Sequence, residues 1–184
     1  SSYFITEHHP TVKVPVLIGS MKVDIDIFES FSLDSPIEKV TKLELFNKSL
    51  DCHVVLPSST VFLKGLLIAK IEYIEDLTQQ TVHEVRVPAP WSKTLKIDWI
   101  YPPVLPKESR KKDYMFNDHD QISPIFHYEQ SHSFTDPIIS QLRCIHFVWR
   151  NDLHRSTKPN LHLQGNAILY VDLLQEQYIQ IKSL

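Results

Sequence analysis

The sequence predicts an all-β protein: an antiparallel β-sandwich of about eight strands with one long loop. Three observations point there. Apolar and polar residues alternate with period two over most of the 184 residues, the rhythm of a strand with one buried and one wet face. Val and Ile dominate the apolar positions, and their branched side chains suit a pleated surface. Polar clusters such as "LPSS" and "DLTQQ" turn the chain between alternating runs. The expected organisation is one β-domain over residues 1–184, with an N-terminal extension at 1–11 and an inserted loop at 101–136.

The first run joins "VKVPVLIG" to "MKVDIDIFESFSL", where Val23, Ile25, Ile27 and Phe31 alternate with Lys22, Asp24 and Asp26. The spacing of Asp24 and Asp26 is one by which many enzymes hold a divalent cation. On a strand these residues point the same way, ~6.6 Å apart, opposite the Val/Ile row. They are therefore read as surface. Ser35-Pro36-Ile37-Glu38 resembles a helix capping box with Pro at the first helical position. The alternation of Leu43 and Leu45 that follows favours a turn into a strand instead.

After "LPSS", "TVFLKGLLIAKIEYIED" is the longest strand candidate, and Gly65 within it marks a bulge or a close backbone approach. "TVHEVRVPAP" returns the chain, and Pro88-Ala89-Pro90 is expected to end that strand because proline cannot donate to a ladder. "WSKTLKIDWI" alternates again. From Tyr101 to Asp136 the chain is polar, proline-punctuated and without period. Loops of such length are uncommon in compact domains and usually carry function or act as linkers. "PIISQLRCIHFVWRND" fits a strand or a short helix, since Ile138, Leu142, Ile145 and Val148 also have helical spacing. "NLHLQGNAILYVDLLQEQYIQIKSL" reads as strand. Leu63, Gly65 and Ile68 are echoed by Leu163, Gly165 and Ile168, the mark either of a duplicated hairpin or of two unrelated strands built from common residues.

Composition excludes several classes. The net charge of −3, from 19 basic and 22 acidic residues, gives no electrostatic reason to expect nucleic acid or an anionic membrane as partner. The basic cluster Arg110, Lys111 and Lys112 is too small to hold a phosphate backbone and is read as solvated loop. No apolar run approaches the ~20 residues that cross a bilayer, so no membrane insertion is expected. The opening "SSYFITEHHP" lacks the basic region and apolar core of an export signal. Cys52 and Cys144, with no CxxC, are read as two buried free thiols rather than a disulfide.

No enzyme motif emerges. The three glycines, Gly19, Gly65 and Gly165, are too far apart for a nucleophile elbow, a P-loop or a dinucleotide-binding loop. Cys52 and His53 are neighbours on a strand and point to opposite faces. Trp91, Trp99 and Trp149 could line a sugar site, but single aromatics at strand ends are read as core. Ten histidines are present. His119, His127 and His132 share the long loop with Asp118 and Asp120, which gives an alternative reading: a ligand- or metal-binding β-module using that loop. Their spacing fits no closed zinc motif, and "NDHD" lacks the Gly and distal Glu of a calcium loop. No catalytic residue, metal or cofactor is assigned. The loop's Tyr114, Phe116, Phe126 and Tyr128 are instead the candidate interaction residues.

The stretch from about Val12 to Ile100 resembles the SPOCS domain family, found in spore-coat and exosporium-associated proteins of endospore-forming bacteria. The residues that carry the resemblance are Val14-Pro15-Val16 with Gly19, Cys52 before a turn, Leu63 with Gly65 and Tyr73, and Val87-Pro88 with Trp91. The C-terminal part is similar to the family's closing strands, displaced by the long loop. The resemblance implies a non-enzymatic structural protein of the spore envelope. Such a protein would be made in the mother-cell cytoplasm during sporulation and located in the coat or exosporium. It would work through contacts with other envelope proteins or with itself.

Overall fold

The computed structural model describes residues 10–106, 135–150 and 160–181 in full, together with the backbone of 110–116 and 125–131. Among these residues the chain is all-β, with no helix. The strands are β1 (Thr11–Ser32), β2 (Lys39–Val55), β3 (Thr60–Ile74), β4 (Val82–Lys96), β5 (Arg110–Phe116), β6 (Ile125–Ser131), β7 (Ile138–Trp149) and β8 (Asn160–Gln180). Six of them form two antiparallel three-stranded sheets, ordered β1-β8-β7 and β2-β3-β4, while β5 and β6 pair only with each other. The expected sandwich of about eight strands thus holds for class and for antiparallel pairing, but each main sheet has only three strands.

Alternation explains the core. On β3 the side chains of Val61, Leu63, Leu67, Ala69 and Ile71 point inward, and on β8 so do those of Leu161, Leu163, Ala167, Leu169, Val171 and Leu173. They join Val23, Ile25 and Ile27 of β1 and Val87, Ala89 and Trp91 of β4 in one buried cluster drawn from both sheets. Each Val, Leu or Ile among them contributes about 1.5–3 kcal/mol by leaving water. The internal echo is structural. From Thr60 to Ile74 and from Asn160 to Leu174, β3 and β8 share the same sequence of buried and exposed positions except at two. Each is the middle strand of its sheet.

The echoed glycines serve the same purpose. A Cβ on Gly65 would lie 2.6 Å from the Ser49 carbonyl oxygen and 2.8 Å from the Trp91 ring. One on Gly165 would lie 2.8 Å from the Val148 carbonyl and 3.0 Å from the Phe147 ring. Each glycine therefore lets an aromatic ring lie against the central strand. Of the two roles expected for Gly65, close approach is the one found, because its pairing with Leu50 and Trp91 is unbroken and the nearest bulge falls between Asn47 and Ser49. The Trp91 indole nitrogen and the Asn47 side-chain oxygen are both buried without a partner.

Three expectations need correction, and one choice left open is decided. First, β4 runs through Pro88-Ala89-Pro90. It is an edge strand, and two prolines of the same parity can turn their nitrogens away from β3 while Ala89 donates to it. Pro15 sits within the other edge strand β1 on the same principle. Second, 101–136 is not all loop, because it contains the β5–β6 hairpin. Its two strands have seven residues each, too short for alternation to stand out, and the basic cluster read as loop begins β5. Third, 138–149 is strand, not helix, since pairing to β8 along its whole length outweighs the helical spacing. Fourth, Thr11, placed in the N-terminal extension, already belongs to β1, while residues 1–9 lie outside those described.

The two sheets are joined at a bulge. Ile18 is inserted between the paired residues Leu17 and Gly19 of β1, and its carbonyl accepts hydrogen bonds from the amides of Ile100 (2.9 Å) and Tyr101 (3.2 Å). Gly19 packs so closely on Ile97 and Trp99 that a side chain there would collide with Ile97. The chain leaving β4 is thereby held against β1. Gly65→Ala and Gly165→Ala should each destabilise by about 1–3 kcal/mol in urea unfolding, because backbone oxygens cannot give way. Gly19→Ala should cost less, because the obstructing atom there is the end of a flexible isoleucine. Equal losses at all three would contradict this account.

Candidate functional site: the root of the inserted hairpin

The inward row of β8 ends in an amide. Gln175 continues the parity of Leu169, Val171 and Leu173, is 2% exposed, and is the one buried polar side chain among the described residues. Its Oε1 accepts from the Val104 amide (2.8 Å) and from Nε2 of Gln177 (3.2 Å). Its Nε2 donates to the carbonyls of Val104 (3.1 Å) and Asp136 (3.0 Å). Val104 lies where the chain enters the insert and Asp136 where it returns. One side chain therefore fastens both ends of the insert to the core. A buried amide with all its hydrogen-bonding capacity used is specific in geometry, because any displacement leaves a desolvated group unpaired.

On the exposed side, the Lys13 ammonium bridges Asp136 (2.9 Å) and Glu176 (3.1 Å). Hydrogen bonds to Asp136 first and Glu176 second raise the lysine pKa well above its ordinary value. In water such a pair adds little stability, so Gln175 is the fastening and Lys13 its outer guard.

Beside this root runs a groove of about 310 Å³, bordered by Cys52, His53, Pro106, Asp136, Ile138 and Gln175. It joins β2 to the insert. Cys52 is half-buried and free, as is Cys144, so both thiols are less enclosed than expected. Burial, followed by the charge of Asp51, pushes the Cys52 thiol up to about 11. It stays protonated at neutral pH and is a poor nucleophile.

The side chains of the candidate interaction residues Tyr114, Phe116, Phe126 and Tyr128 lie outside those described. Their backbone positions are fixed by the hairpin register, which pairs Tyr114 with His127, Phe116 with Ile125, Met115 with Phe126 and Asp113 with Tyr128. Paired residues share a face, so Tyr114 and Phe116 occupy positions on one face and Phe126 and Tyr128 on the other. Asp118, His119, Asp120 and His132, which carried the metal-binding alternative, lie outside the described residues. Among the described residues no three His, Cys, Asp or Glu side chains come together as a metal site.

Asp24 and Asp26 lie on the exposed face of β1, and the Asn166 amide of β8 donates to both, at 2.5 and 3.2 Å. Their electron pairs serve a cross-strand clamp. Trp91 is core and Trp99 and Trp149 pack against it, so the three tryptophans do not line one surface. Sequence reading missed Gln175. The signal was present, as a glutamine at an inward position directly after "YVDLL", but parity shows only that a polar group is buried and not what it binds.

Gln175→Leu should leave the Val104 amide and two carbonyls without partners, at about 1–3 kcal/mol for each that stays buried. Limited proteolysis within 101–137 should then speed up at least about tenfold while the β-sheet circular dichroism persists. Lys13→Ala should leave that rate nearly unchanged. Cys52 should alkylate at pH 8 roughly 100-fold more slowly than an unhindered thiol, as followed by peptide mass mapping. A rate like that of free cysteine would show the thiol to be open to water.

Comparison of the chain with family models, curated proteins and solved structures finds no match.

Proposed function

We propose that this chain is a non-enzymatic assembly module of the bacterial spore envelope, working through protein–protein contacts. In this reading the two sheets pack as a β-sandwich that serves as a mount, and the β5–β6 hairpin is the contact element. The observation that carries the reading is the fastening of both ends of the insert by Gln175. A buried amide spent on holding the root of a hairpin makes sense if the hairpin must be presented in a fixed place. Its register places aromatic residues at positions on both faces, and aromatic side chains dominate the energetics of protein contacts. The SPOCS resemblance supplies the setting, the coat or exosporium, with other envelope proteins or further copies as partners.

Strand edges are the less favoured route. Addition of a strand from a partner needs a row of free donors, and Pro15 on β1 and Pro88 and Pro90 on β4 each remove one. The other two edges, β2 and β7, carry no proline, so the loss of donors concerns β1 and β4 alone.

The test is immunogold localisation on thin sections of sporulating cells of the source, with the native chain and with Phe126→Ser/Tyr128→Ser. Gold on the coat or exosporium, reduced by the double substitution in a protein that still melts normally, is expected. Gold spread through vegetative cytoplasm, or a source that forms no spores, would sink the proposal.

A further inference from the structure

The basic cluster Arg110, Lys111 and Lys112 has no part in the core or in the contact positions. It is the one run of adjacent Lys or Arg residues in the chain. It opens β5, between the first fastening at Val104 and the aromatic positions Tyr114 and Phe116. Among the described residues, β5 and β6 pair with each other and come near no other strand. A lone two-stranded hairpin is marginally stable in water, and a protease cuts the backbone that opens most readily. The lysines and arginines of β1 to β4 and of β7 lie in strands paired into the two sheets. A cut there requires the sheet to open first.

The two sides of this run are held together without the peptide bond. β1 precedes it and β8 follows it, yet they form one ladder, from the pair Thr11 and Gln180 to the pair Ser32 and Asn160. The core draws Val23, Leu63 and Trp91 from before the run and Leu163, Leu169 and Leu173 from after it. The β2-β3-β4 sheet lies wholly before it and takes no strand from beyond. Burial across this boundary outweighs the freedom that two separate pieces would gain. Only the insert would change. Gln175 would still hold Val104 on one piece and Asp136 on the other, but the aromatic part of the hairpin would hang from the Asp136 side alone.

We infer that Arg110-Lys111-Lys112 is a processing site for a protease of trypsin-like specificity. Such an enzyme adds water across the peptide bond after one of these residues. The carbonyl carbon takes the hydroxyl and becomes a carboxylate, the amide nitrogen leaves as a new amino terminus, and nothing is oxidised or reduced. The cut removes one of the two fastenings of the contact hairpin and leaves the sheets as one body. It thus turns an element presented in a fixed place into one tethered at a single end. The inference rests on the assembly reading for what the cut releases, while the cut itself is a property of the chain.

The test is brief trypsin treatment of the purified full chain, with the products identified by mass. The first cut is expected after Arg110, Lys111 or Lys112, and the two pieces should elute together with their β-sheet circular dichroism unchanged. Arg110→Gln/Lys111→Gln/Lys112→Gln should slow that cut at least about tenfold and melt like the native chain. A first cut elsewhere, or pieces that separate or unfold, would overturn the inference. In the cells that make the protein, denaturing immunoblots should show two pieces, the second beginning at Lys111, Lys112 or Asp113, and the triple substitution should leave one. A native chain that stays whole there would overturn it as well. Pieces of the expected size in a source whose spore envelope lacks the protein would count against the proposed function and leave the processing site standing. A whole chain on the coat or exosporium would do the reverse.

Discussion

The placement of the insert depends on one amide. The core between the two sheets is otherwise apolar burial, which is strong but has no preferred direction. Burial can bring β3 and β8 into one core, but it does not dictate where the chain between β4 and β7 should leave and return. Gln175 does so by bonding the backbone on both sides of the insert at once. Because its amide is enclosed, the alternative to these bonds is not water but an unpaired group. The directional bonds that fix both ends of the insert are therefore concentrated at the end of β8, with the groove beside β2 next to them.

The joint between sheets uses the same logic with backbone instead of side chain. The bulge at Ile18 turns one carbonyl of β1 out of its ladder, and two amides beyond β4 take it. Gly19 is needed next to it because Ile97 and Trp99 occupy the space a side chain would fill. Both devices act on the segment after β4. That segment passes from the first contact at Ile100 to the second at Val104 within a few residues.

Much of this fold was legible because period two is a strong signal wherever one face is buried. β1, β3 and β8 are long, and their inward rows read directly as Val, Ile and Leu. What failed to show has physical causes. The prolines of β4 hid its continuity, because the rule that proline stops a strand assumes neighbours on both sides, and edge position is a tertiary fact. The hairpin was hidden by the shortness of β5 and β6 and by charges that resemble solvated loop. The candidate site was the least legible. Gln175 is conspicuous only when its parity is known, and its partners are backbone groups that any residue would carry.

The echo between β3 and β8 bears on function through its limits. The inward halves of the two strands match closely, down to a glycine under an aromatic ring, because both must fill the same core. Their outward halves share Ile68 with Ile168 and an acidic residue, Glu72 with Asp172, and otherwise differ. Beside β8 the outer face carries Asp24 and Asp26 clamped on Asn166 and, further along, an apolar row of Leu17, Leu174 and Ile139. Beside β3 it carries Phe46, Leu66, Ile68 and two prolines within a rim of paired charges. What the two sheets share is therefore set by the core they fill together, and what they do not share is left to their outer surfaces.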